Sequence, residues 1–186
     1  MTQPGADTGH GLVERLFAEH SATVYRYCRL RLETHDAHDA VSEVFVVALR
    51  RWEDIPPAQV AWLLGVARRV VANMLRSRRR AGALAEKLGF DFGDRASDVA
   101  ESVVASDSAY RALASLRPAD REVLLMALAG PLSQADLGVA LGCSAKTAAS
   151  RLSRARARLD QATAELDGPV PQPAPVGPAI SQSRSN

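Results

Sequence analysis

The chain has 186 residues, 47% of them hydrophobic and 24% charged, the composition of a folded protein and not of a disordered one. It contains no run of about 18 apolar residues that would suit a membrane, and residues 1–11 lack the basic and apolar stretches of a secretion signal. Its two cysteines, Cys28 and Cys143, fit neither a disulfide framework nor a zinc module, so a cytoplasmic protein without membrane insertion is expected.

The net charge of +2 hides a plus, minus, plus layout. Residues 1–80 carry twelve arginines against nine acids, residues 81–107 two basic groups against six acids, and residues 108–166 eight against five. This pattern suggests two basic modules joined by an acidic connector.

In chain order, residues 1–11 are expected to be disordered. Leu12, Leu16, Val24, Tyr27 and Leu30 then fall near one face of a helical wheel, with Arg and Glu between them. Residues 36–51 repeat the pattern through Ala40, Val44, Val47 and Leu49. Pro56-Pro57 interrupts it, because proline has no backbone donor to give a helix interior. A third helix is expected over residues 59–79, completing a helix bundle at residues 12–80. Residues 81–107, with Gly82, Gly89, Gly93 and scattered Asp, predict a flexible linker with a short helical turn near Leu84.

Residues 108–166 predict four more helices. A lead-in over 108–115 is followed by a helix opened by Pro118, which suits a first turn, and ended by Gly130-Pro131. Ser133 can cap a helix over 134–141, which Gly142 closes, and Ser144 can cap the last and most basic helix, to about 166. Residues 167–186 are rich in Pro and Ser and predict a disordered or polyproline tail. The expected fold is all-α, two small helical domains with a flexible acidic linker.

Three groups of residues carry chemistry. A short helix, the turn Leu141-Gly142-Cys143-Ser144 and an Arg-rich helix have the proportions of a helix-turn-helix. Cations such as Lys146, Arg151 and Arg154 on its outer face suit phosphates or guanine edges, with Ser150 nearby as a phosphate donor. A solvated basic helix is the plainer alternative. Residues 68–80 hold six arginines and no acid, next to Trp62-Leu63-Leu64. That combination suits single-stranded or melted DNA, although Trp62 by itself fits a core position. Finally, Asp36, Asp39 and Glu43 share one helical stripe, which fits a basic protein partner better than a metal site with His35 and His38. No metal or cofactor is expected.

Together these residues form a resemblance. Asp36-x-x-Asp39-x-Val41-x-Glu43-x-Phe45, then Trp62-Leu63-x-x-x-Ala67-Arg68, then Arg76 to Arg80, resembles the first domain of extracytoplasmic-function sigma factors. Leu113-x-x-Leu116-x-Pro118-x-x-Arg121-Glu122-Val123-Leu124, Leu132-Ser133 and Thr147-x-x-Ser150-Arg151-Leu152-x-Arg154-Ala155-Arg156 resemble their second. The resemblance spans about residues 12–162, in family order.

It implies a non-enzymatic subunit that binds bacterial core RNA polymerase and directs initiation at specific promoters. Residues 12–80 would be sigma region 2 and residues 108–166 sigma region 4. Asp36, Asp39, Glu43 and Phe45 would dock on the clamp helices of the largest subunit, while the flap of the second subunit receives the other domain. Trp62, Arg68, Arg69, Asn73, Arg76 and Arg79 would take and help to melt the −10 element, with an unstacked base captured there. Lys146, Thr147, Ser150, Arg151, Ser153 and Arg154 would read the −35 element. An anti-sigma factor is a common partner in the family. Arg69, Ala149 and Pro56-Pro57 depart from the usual pattern at DNA-facing positions.

Two other function classes compete with this reading. A stand-alone helix-turn-helix regulator would need neither the acidic stripe nor the arginine track. An enzyme would need a constellation that is absent here, since no Ser/His/Asp set, P-loop or metal spacing occurs and the four histidines have no persuasive partners.

Overall fold

The computed structural model describes the backbone of residues 9–87 and 107–166, and the side chains of residues 9–81 and 111–166. Seven α-helices follow one another: α1 (Gly9–Arg29), α2 (Thr34–Arg50), α3 (Gln59–Lys87), α4 (Asp107–Ser115), α5 (Pro118–Ala129), α6 (Gln134–Leu141) and α7 (Ala145–Leu166). A 3-10 turn, Trp52–Asp54, separates α2 from α3. Among the described residues there is no strand.

In the first half, α1, α2 and α3 pack against one another. Helix α1 buries Val13, Leu16, Val24, Tyr27 and Cys28, and α2 buries Ala37, Ala40, Val41, Val44, Phe45 and Ala48. These fall at helical spacings, three or four residues apart in α2 and three, four or eight in α1, so each helix turns one stripe inward. Helix α3 adds Leu63, Leu64, Ala67 and Val71, all fully buried. Complete burial of a leucine contributes roughly 1.5–3 kcal/mol, so Leu63 and Leu64 alone anchor the start of α3 firmly.

Helix α3 is longer than its sequence pattern predicts. It continues to Lys87, eight residues beyond Arg79, and takes the beginning of the expected connector into the helix. Ala81, Ala83, Leu84, Ala85, Glu86 and Lys87 are all strong helix formers, and a lone Gly82 costs only about 1 kcal/mol against alanine. Likewise α1 begins at Gly9, within the segment expected to be disordered. The rest of that segment, the remainder of the linker and the Pro-rich tail lie outside the described residues.

The second half packs α4, α5 and α6 against α7. Pro118 is the first residue of α5, as its fixed φ favours. Arg121 reaches back to the carbonyls that α4 leaves open, donating from Nε to Leu113 O (2.9 Å) and from an Nη to Leu116 O (3.1 Å). A reciprocal capping box opens α6. Ser133 Oγ accepts from Asp136 N (3.0 Å), and the Asp136 carboxylate accepts from Ser133 N (3.2 Å). Gly142 ends α6 in the left-handed region at φ 69°, ψ 39°, where a side chain would be strained.

The two halves are in direct contact. Helix α3 lies against α6 and α1 against α5, and one apolar core runs through both halves. Gly65 permits the close crossing of α3 and α6, because a Cβ there would stand 3.3 Å from the Ala140 carbonyl oxygen.

Candidate nucleic-acid interface

Helices α6 and α7 form the expected helix-turn-helix, and local chemistry fixes its turn. Cys143 N donates to Gly138 O (2.9 Å), and Ser144 Oγ accepts from Thr147 N (3.2 Å) as the cap of α7. Ala148 and Ala155 are buried, which turns their side of α7 inward. Lys146, Ser150, Arg151, Ser153 and Arg154 are all exposed. Thr147 is partly buried, with its hydroxyl 2.8 Å from Ser144 Oγ, so it helps to cap the helix it belongs to. Arg154 Nε donates to Ser150 O (3.2 Å), which lays its guanidinium along the helix. Arg158 pairs with Asp120 on α5 and ties α7 to the body. The result is a row of cations and hydroxyls with apolar backing, suited to a groove lined with phosphates.

The arginine track on α3 divides by environment. Arg69, Asn73, Arg76 and Arg79 are exposed; Arg69 Nε donates to Gly65 O (3.0 Å) and Arg76 to the Asn73 side-chain oxygen. Trp62 is half-buried against the core, as its apolar neighbours suggested. Arg68 turns toward the second half. Its Nε is 3.9 Å from Glu122 Oε1 and an Nη is 3.5 Å from Leu141 O. Arg78 pairs with Asp36 on α2.

That last pair corrects the expectation of one exposed acidic stripe. Asp39 and Glu43 are exposed, but the Asp36 side chain is only 14% exposed and faces the Arg78 guanidinium. The spacing of 36, 39 and 43 sets a common face for α2, yet the far end of α3 covers one end of it. Asp39 lies 3.5 Å from His35, and His38 stacks on Tyr25 with ring centroids 4.7 Å apart. Phe45 also departs from the expected surface. It is 7% exposed and meets Phe17 edge-on at 4.9 Å, leaving Phe17 on the outside at 51% exposure. Val46, Trp52 and Leu49 are the other exposed apolar groups of this region, which corrects the helical pattern that placed Leu49 with Ala40 and Val44.

A further cluster escaped sequence reasoning. Glu122 on α5 accepts hydrogen bonds from the Tyr27 hydroxyl and from Arg31, and Arg31 also donates to Tyr27 Oη (3.0 Å). The Arg31 and Glu122 side chains are 19% and 14% exposed. Burial raises the Tyr27 hydroxyl well above its ordinary range, so it remains a donor. For Arg31, burial works against the charge, but Tyr27 and Glu122 together outweigh it and the net direction is upward. Next to this cluster, burial pushes the Cys28 thiol up to about 12, with Arg31 opposing. Glu122 stood in the sequence as one member of the motif Arg121-Glu122-Val123-Leu124, and nothing local revealed that Tyr27, 95 residues away, would meet it.

Comparison with known proteins matches this geometry to a family. Residues 16–81 match the family model described as Sigma-70 region 2, and residues 106–159 match Sigma-70, region 4. The chain is 33% identical over 139 residues to the ECF RNA polymerase sigma factor SigC of Mycobacterium tuberculosis, covering 72% of this chain and 73% of the relative. The chain belongs to the extracytoplasmic-function sigma factors. The probable RNA polymerase sigma-C factor of Mycobacterium bovis matches equally well.

Two solved structures share the sigma-factor fold. CnrH, in complex with the cytosolic domain of CnrY, has a TM-score of 0.58 at 26% identity, covering 85% of this chain and 89% of that one. RpoE of Bartonella quintana, in complex with the anti-sigma factor NepR, has a TM-score of 0.59 at 23% identity, covering 82% and 96%. As an extracytoplasmic-function sigma factor, this chain binds core RNA polymerase and promoter DNA and directs transcription initiation. Among the described residues no helix is long and apolar enough to cross a membrane.

Proposed function

We propose that this sigma factor divides its work among three surfaces and contributes no bond-making chemistry. Asp39 and Glu43 on α2 provide the acidic docking face for the clamp helices of the polymerase. Phe45 supports that face from beneath through Phe17, and Asp36 supports it through Arg78. Residues Trp62, Arg69, Asn73, Arg76 and Arg79 of α3, joined by Arg68, take the −10 element: the cations follow the backbone, and the ring offers an apolar surface to an unstacked base. Lys146, Ser150, Arg151, Ser153 and Arg154 read the −35 element in the major groove, with Thr147 fixing the start of α7.

The observation that carries this reading is α7. Its cations are exposed on a helix whose Ala148 and Ala155 are buried, and a fixed turn joins it to α6. The second module also meets the polymerase flap, the protein acts in the cytoplasm, and an anti-sigma factor, the partner of RpoE in its solved complex, is a further candidate partner.

Run-off transcription with core polymerase on a pool of genomic promoter fragments tests the division of labour. Asp39→Lys with Glu43→Lys should weaken polymerase binding and spare duplex binding. Arg151→Ala with Arg154→Ala should spare polymerase binding and lower both promoter selection and the salt slope of DNA binding, by about one unit for each phosphate no longer neutralised. Equal losses from both pairs in both assays would refute the division. Firm duplex binding without protein-dependent transcripts would favour a stand-alone regulator.

A further inference from the structure

The cations of α7 continue past Arg154. Arg151, Arg154 and Arg158 stand at i, i+3 and i+7, which puts all three on one flank of the helix. At ~1.5 Å per residue, Lys146 to Arg154 covers about 12 Å, which matches the width of a major groove. Arg158 lies about 6 Å further on, where a helix leaving the groove passes its phosphate rim. A contact to phosphate at that point would add affinity and no selectivity, because every sequence presents the same backbone.

Arg158 is held elsewhere. It pairs with Asp120 across α5 and α7, in the second module, with the Asp120 side chain 13% exposed and that of Arg158 45%. The carboxylate is fixed in place by its surroundings. Asp120 is the third residue of α5, which Pro118 opens, and Asp120 N donates to Arg117 O (3.0 Å). The next residue, Arg121, is bonded to the carbonyls at the end of α4. Carboxylate and phosphate are equivalent acceptors for a guanidinium, so the one already fixed beside Arg158 retains it.

We propose that Asp120 is a specificity-determining residue: by holding Arg158 on the body it ends the DNA-facing cation row at Arg154 and withholds a phosphate contact that would strengthen binding to all duplexes alike. This rests on α7 being the helix that reads the −35 element.

The salt dependence of duplex binding by the full chain tests it, with a duplex of scrambled sequence as the probe. Asp120→Asn keeps the size of the side chain, removes its charge and frees Arg158. The slope of log K against log salt should steepen by about 0.9, an extra loss of about 3.5-fold in affinity between about 50 and 200 mM salt. In run-off transcription with core polymerase, the preference for a protein-dependent promoter over the same fragment with a scrambled −35 element should fall about threefold. Asp120→Asn with Arg158→Gln strands neither charge and should return both slope and preference to those of the parent. A merely structural role for Asp120 would leave the double variant as impaired as the single.

A parental slope for Asp120→Asn overturns the proposal. So does a double variant as steep as the single, or one shallower than the parent, which would mean that Arg158 already contacts phosphate. Arg151→Ala with Arg154→Ala separates this failure from that of the underlying reading. If that pair left duplex binding unchanged, α7 would not be the DNA helix and both readings would fall. If it lowered the slope while Asp120→Asn did not raise it, only the role of Asp120 would fall.

Discussion

The pair between Asp36 and Arg78 makes a quantitative prediction, because its two members are buried to different extents. The Asp36 side chain is 14% exposed, and its Oδ2, shielded from solvent, faces the Arg78 guanidinium. The Arg78 side chain is 48% exposed. Removing one member of a fully buried pair costs about 3–5 kcal/mol, and an exposed pair is worth about 0.2–1 kcal/mol.

Arg78→Ala leaves a shielded carboxylate without its counter-charge. Asp36 is the third residue of α2, where the helix dipole returns roughly 0.3–1 kcal/mol, so the expected loss is about 2 kcal/mol. Asp36→Ala leaves a half-exposed guanidinium that can turn to water, at about 0.5–1 kcal/mol. The double variant has no stranded charge and should cost about 1 kcal/mol, well under the total of the two singles. Urea unfolding followed by circular dichroism, with a common slope, resolves these differences. If Asp36→Ala cost as much as Arg78→Ala, or the two added within about 0.5 kcal/mol, the buried-carboxylate argument would be wrong.

Two further outcomes follow from local chemistry. Cys28 is fully buried and its thiol is raised from the ordinary 9.0 to about 12, so the folded state favours the neutral form. Its contribution is complete below pH 9 and is lost as the pH rises toward 12. Over that window the parent should lose up to about 1.4 kcal/mol per pH unit more than Cys28→Ala in paired urea melts, and parallel pH profiles would contradict the assignment. In the capping box of α6, Ser133→Ala should cost about 1 kcal/mol in the same melts. Adding Asp136→Ala should then cost distinctly less than it does in the parent, because the two side chains serve one another; full additivity would show two independent caps.

What the sequence makes legible here is whatever local spacing decides. The inward stripes of α1 and α2, Pro118 at the start of α5, Ser133 and Ser144 as caps and Gly142 in the left-handed region are each set by neighbours within one or two turns. The helix-turn-helix is legible for the same reason, since its turn is built from consecutive residues. What stays hidden is set by residues far apart along the chain. Asp36 has the same i, i+3, i+7 credentials as Asp39 and Glu43, and only Arg78, on another helix, takes it out of solvent. Phe45 and Phe17 are equally aromatic in the sequence, and only the packing of α1 against α2 leaves Phe17 outside and Phe45 within.

Arg68 is the most instructive case. Its place in a run of cations suggests a nucleic-acid contact, and nothing within reach on α3 could neutralise it. The carboxylate it approaches lies 54 residues on, in a motif that by itself reads as the other domain's core. Its local pattern fits a phosphate backbone, and its tertiary neighbour is a carboxylate. Both are anionic acceptors, so a single guanidinium can serve either without redesign.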